Sequence, residues 1–124
     1  GRFAIELPAT PTETIGATSL LEASRGLDRA YLVLWEPIDD PMQWVTDTRT
    51  EMLEGGTLVR EGISTDHDQH LVVRSGDSVH HFRITAQDQV GYLVEAVAPE
   101  DEPDSERVVR SFRVLTLNEL LTEP

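Results

Sequence analysis

The stretch HLVVRSGDSVHHFRITA, residues 70–86, decides the fold. Its centre, SGDS at 75–78, is a turn signal: Gly76 and Asp77 suit a two-residue hairpin loop between runs rich in β-branched residues. Pairing Ser75 with Ser78 sets Arg74 opposite Val79, Val73 opposite His80, Val72 opposite His81 and His70 opposite Arg83. Paired residues share a face, and faces alternate along each strand. One face therefore carries Leu71, Val73, His80, Phe82 and Ile84, and the other His70, Val72, Arg74, Val79, His81 and Arg83.

Working outward, TLVREGI at 57–63 and VGYLVEAVA at 90–98 continue the pattern on either side, so four strands form an antiparallel meander. Upstream, ATSLLEAS and AYLVLWE flank RGLDR and read as another hairpin. Both alternations of its second strand are apolar, which places that strand inside a sheet covered on both faces. FAIELPA at the start alternates Phe3, Ile5 and Leu7 with Ala4 and Glu6 and reads as a strand ended by Pro8.

Two segments change period. In DDPMQWVTDTRTEMLEGG, Asp40 is an N-cap, Pro41 stands at the first helical position and Gln43 completes a capping-box pattern. Val45, Met52 and Leu53, with Trp44 or Met42, form the core stripe of this helix, and Gly55 and Gly56 stop it. After Pro99, EDEPDSE is an acidic loop and helix entry, and RVVRSFRVL at 107–115 repeats Val108, Val109, Phe112 and Leu115 at helical spacing and reads as a second amphipathic helix. TLNELLTEP either extends that helix or crosses to a neighbouring surface. The chain of 124 residues is one domain by length, 1–124, able to bury roughly two thirds of its unfolded surface without staples.

Composition narrows function mostly by exclusion. With 23 acidic against 10 basic residues the formal net charge is -13, which disfavours nucleic acid and anionic membrane surfaces as partners. All the basic residues are arginine, as in proteins of salt-adapted or high-GC organisms, where an acidic surface serves solubility. No cysteine is present, so disulfides and thiolate metal sites are excluded. No apolar run approaches the ~20 residues of a membrane-spanning helix, so direct membrane insertion by this segment is not expected. The abrupt start leaves open a removed signal or lipid anchor.

STDHDQH, residues 64–70, is the one cluster with metal-ligand chemistry. His80 and His81 point to opposite faces and do not share a metal. His80 falls on the apolar face, where a hydrogen-bonded core histidine is the expected reading. His70 and His81 lie diagonally on the polar face, and Asp68 approaches from the turn, so His70, His81 and Asp68 are the candidate metal ligands. Against them stand Arg74 and Arg83 on the same face, and the ordinary use of Asp66, His67 and Asp68 in a tight turn. There is no GxSxG elbow and no phosphate-binding glycine loop. The acidic pairs Asp39–Asp40 and Asp101–Glu102 read as helix-start and loop carboxylates. No catalytic set and no cofactor emerge.

The order strand, hairpin, helix, antiparallel strands, helix, with FAIELPATP at one end and PDSERVVRSFRVL at the other, resembles the PsbP-like superfamily. The resemblance spans about residues 3–115. It implies an α+β fold, a curved antiparallel sheet flanked by helices as an α/β/α sandwich. Members include extrinsic photosystem proteins, a nuclear-import accessory protein, DcrB-type bacterial envelope lipoproteins and effector chaperones. The implied role is non-enzymatic protein binding in a bacterial accessory domain, in the periplasm or exposed at the cell envelope, with a homodimer compatible. Two alternatives remain: a secretion-effector chaperone shielding an apolar helix, and a metal- or small-molecule-binding domain using His70, His81 and Asp68. Fold alone does not choose among them.

Overall fold

The computed structural model describes residues 3–14, 16 and 18–115, apart from the side chains at 63 and 64. The elements are β1 (Phe3–Ala4), β2 (Thr12–Thr14), β3 (Ser19–Arg25), β4 (Arg29–Pro37), α1 (Pro41–Leu53), β5 (Thr57–Thr65), β6 (Asp68–Ser75), β7 (Ser78–Gln87), β8 (Val90–Ala98), α2 (Pro103–Ser111) and β9 (Arg113–Val114). Seven strands make one antiparallel sheet in the order β2-β3-β4-β8-β7-β6-β5. This is a mixed α+β fold, with two helices among the described residues.

Local chemistry accounts for the boundaries. Gly76 takes a positive φ of 60° in the β6–β7 turn, and the register is the one the turn predicts: Ser75 with Ser78, Val72 with His81, His70 with Arg83. At the start of α1, Asp40 Oδ1 accepts from the Gln43 N–H at 3.1 Å. The reciprocal half of the capping box is not made, because the Gln43 amide donates to Asp47 Oδ1 instead. Past the end of α1, Gly55 has φ 74°, a conformation that costs glycine nothing.

Each sheet face packs against one helix. Residues Leu71, Val73, Phe82, Ile84 and Leu93 meet Val45 of α1, with Trp44, Met52 and Leu53 alongside. On the other face Tyr31, Val33, Tyr92, Val94 and Ala96 meet Val108, Val109 and Phe112. Burying each such side chain contributes about 1.5–3 kcal/mol. β4 is third in the sheet, between β3 and β8, as its two apolar alternations require.

Two expectations are corrected. The opening strand is only two residues long and pairs not with the large sheet but with β9, Phe3 opposite Val114. Phe3, Ile5 and Leu7 still pack on the α2-side core, so their alternation reported burial and not strand length. The second helix starts within EDEPDSE, at Pro103, as expected, but it stops at Ser111 and does not run on to Leu115; Phe112 is extended, with φ -65° and ψ 132°. Phe112 keeps its core position by turning, its ring 5.3 Å from that of Phe3. The segment 116–124 lies outside the described residues.

Candidate functional site

STDHDQH is a turn followed by the start of β6: Thr65 pairs with Asp68 across Asp66 and His67. The Thr65 hydroxyl accepts from the His67 N–H at 3.2 Å, and the His67 carbonyl accepts from the Ala86 N–H at 2.9 Å. Of the three candidate ligands, the structure brings two together. His70 Nε2 and His81 Nδ1 are 3.2 Å apart on the α2 side of the sheet. Asp68 is elsewhere engaged, bound by both its oxygens to Arg83 at 3.0 and 2.9 Å. His81 is fully buried, and its second nitrogen, Nε2, bonds Asp101 Oδ1 at 2.8 Å. Among the described residues no group of three or more His, Asp or Glu side chains is placed to hold a metal ion.

Asp101 is the member that the sequence reading missed. It lies in the connection between β8 and α2, where it read as a solvated loop carboxylate; it is instead bound by Arg60 through both oxygens and by His81. Arg60 reaches it because β5 carries a bulge. Leu58 pairs with Val73 and Arg60 with Val72, so Val59 is the extra residue that moves Arg60 to the α2 side. Neighbouring Glu102, the N-cap of α2, makes no side-chain capping bond to the helix, and its carboxylate is clamped by Arg29 at 2.8 and 2.9 Å.

Electrostatics fix the direction of this chain of bonds. The Arg60 hydrogen bonds hold the Asp101 carboxyl down to about 2, with His81 adding to the effect. An ionised carboxylate only accepts, so His81 Nε2 donates. A neutral His81 then accepts through Nδ1 from the Nε2–H of His70. Burial, and next the proximity of His81, push His70 down to about 4.

His80 departs from its expectation. It stands on the α1 side, stacked on Phe82 at 5.6 Å, and its buried Nδ1 has no hydrogen-bond partner among the described residues. Glu95 Oε2 is 3.8 Å away. Two concavities meet at Glu95. One, of about 420 Å³, is lined by Thr12, Glu22, Ala30, Leu32 and Glu95. The other, of about 200 Å³, lies at the end of α1 against Glu51, Glu54, His80 and Glu95.

The chain matches no protein-family model, and no curated protein is significantly similar to it.

Proposed function

We propose that this chain is a non-enzymatic protein-binding or accessory domain of PsbP-like architecture. The observation that carries the reading is the sheet face left open beside α1. That helix lies over β7 and β8, while on the same side of β3 and β4 Glu22, Ser24 and Ala30 are exposed and Leu20 and Leu32 half-buried. The histidine pair, by contrast, spends its hydrogen bonds internally on Asp101 and, through it, Arg60. Helices against opposite sheet faces agree with the sandwich that the resemblance implies.

The chaperone alternative draws less support, since the large exposed apolar residues Leu27, Met42, Leu58 and Val59 belong to a hairpin tip, a helix start and an edge strand. The test is affinity capture with the immobilised chain from an extract of its source, identified by cross-linking and mass spectrometry. A specific partner retained through the open face of β3 and β4 is expected. Capture of nothing specific, together with turnover of a substrate, overturns the reading.

A further inference from the structure

The open side of the sheet has a sign. Two cross-strand rows cross it: Thr12, Glu22, Leu32 and Glu95 in one, and Ser24, Ala30, Val97 and His80 in the other. Leu32, Ala30 and Val97 supply an apolar floor, and Leu27 at the tip of the β3–β4 hairpin is fully exposed. Around that floor stand Glu22, Glu51, Glu54 and Glu95. Glu22, Glu51 and Glu54 form no ion pair among the described residues, and Glu95 meets only His80. Among the described residues no arginine lines either concavity.

The reason is segregation of charge. Arg25, Arg29, Arg60 and Arg83 are engaged with Asp104, Glu102, Asp101 and Asp68, all on or beside the α2 side. On the α1 side Arg49 is taken up by Glu61 and Gln69, away from both concavities, which leaves there a half-apolar surface with uncompensated carboxylates, the complement of a chain that alternates basic and apolar residues. We propose that this strip is the docking surface for a basic segment of another protein, whose arginine or lysine side chains meet Glu22, Glu95, Glu51 and Glu54 while its apolar residues lie on Leu32, Ala30 and Val97. This rests on the binding-domain reading and names the partner's chemistry. A second copy of the chain is a poor occupant, because a net charge of -13 repels its like.

The test uses the full chain, ¹⁵N-labelled, titrated with a synthetic peptide of alternating arginine and leucine. A peptide with glutamate for arginine, and spermine, serve as controls. Amide shifts at 20–24, 30–34, 51–56 and 93–97 are expected. The double variant E22Q/E95Q, at two sites not fully buried, should bind about tenfold more weakly, the scale of two partly exposed ion pairs. Shifts confined to the α2 side, unchanged affinity of the double variant, or equal binding of the glutamate peptide overturn the proposal. So do spermine reproducing the same shifts at the same affinity, which is a small-cation site only, and a dimer that closes this face. A captured partner whose binding ignores E22Q/E95Q overturns this surface and leaves the binding-domain reading standing.

Discussion

His70 and His81 face each other nitrogen to nitrogen at 3.2 Å, and the bond between them ties a half-buried imidazole to a fully buried one. Its consequence is a pH dependence of stability with a definite sign. His70 falls from its ordinary 6.5 to about 4 in the folded chain, first through burial and then through His81. Arg60 and Arg110 oppose its charge and Glu106 favours it; Arg83 and Asp68, paired with each other, share its face. Between pH 6.5 and 4 the unfolded chain therefore binds the proton and the folded chain does not, so stability falls as pH falls through that window. Asp101, lowered from 3.8 to about 2, contributes stability above its unfolded value that is lost as pH drops toward 2. Urea midpoints should accordingly decline in two stages. His70→Gln should flatten the upper stage alone, and Asp101→Asn should remove the lower one; a midpoint constant from pH 7 to 4 would contradict the burial of His70.

Gly91 lies directly beneath the indole of Trp44, and a Cβ there would stand 2.5 Å from Cε2 and 2.7 Å from Cδ2 and Cζ2. The ring is not free to move, since Trp44 Nε1 donates to Glu36 Oε1 at 2.9 Å. Gly91→Ala should therefore displace α1 from β8 and lower stability by about 1–3 kcal/mol, the usual cost of overpacking. Thermal unfolding measures the loss, and tryptophan emission should move to the red. An alanine variant as stable as the parent would mean that α1 is not seated on β8 as described.

Much of this fold was legible because local signals were strong. The Gly76–Asp77 turn set the face of every residue in β6 and β7, and Asp40 set the start of α1. Spacing misled where a residue's burial and its backbone part company: Phe112 stays in the core after the helix has ended, and Ile5 and Leu7 are packed without belonging to a strand. The site was half legible for a similar reason. His70 and His81 follow from register, but Asp101 arrives from a loop and Arg60 from a bulge, neither of which leaves a periodic trace. Sequence separation hides such contacts, because only the tertiary arrangement brings position 60, position 81 and position 101 together.

Zinc offers a direct check on the histidine pair. Both ring nitrogens of His81 are engaged, and the Asp68 carboxylate is held by Arg83, so binding a metal there would cost at least two charge-assisted hydrogen bonds. Adding zinc or manganese in tenfold excess at pH 7 should leave the melting temperature unchanged. A rise that His70→Gln abolishes would restore the metal reading, since binding to the folded state alone stabilises it.

Arg83 joins the two halves of the α2 side, and its geometry requires a guanidinium. Nε and Nη2 bind the Asp68 carboxylate, while Nη1 donates to the carbonyls of Val109 at 3.1 Å and of Phe112. Those carbonyls lie at the end of α2, where the helix leaves acceptors without partners of its own and its dipole favours a cation. The guanidinium carbon also sits 5.8 Å from the centroid of the Phe112 ring. Lysine keeps the charge but places it at one point and cannot span carboxylate and carbonyls together. Arg83→Lys should thus cost about 2 kcal/mol, the scale of losing charged hydrogen bonds in a half-buried setting. The loss should be concentrated at one place: amide exchange should quicken in 107–114 before it quickens in β7 or β8, because the carbonyl contacts are what fasten the end of α2 and the turn into β9. Uniform acceleration across the sheet would instead make Arg83 a general core residue. No change at all would mean that the apolar contacts of Val108, Val109 and Phe112 hold this end of α2 unaided.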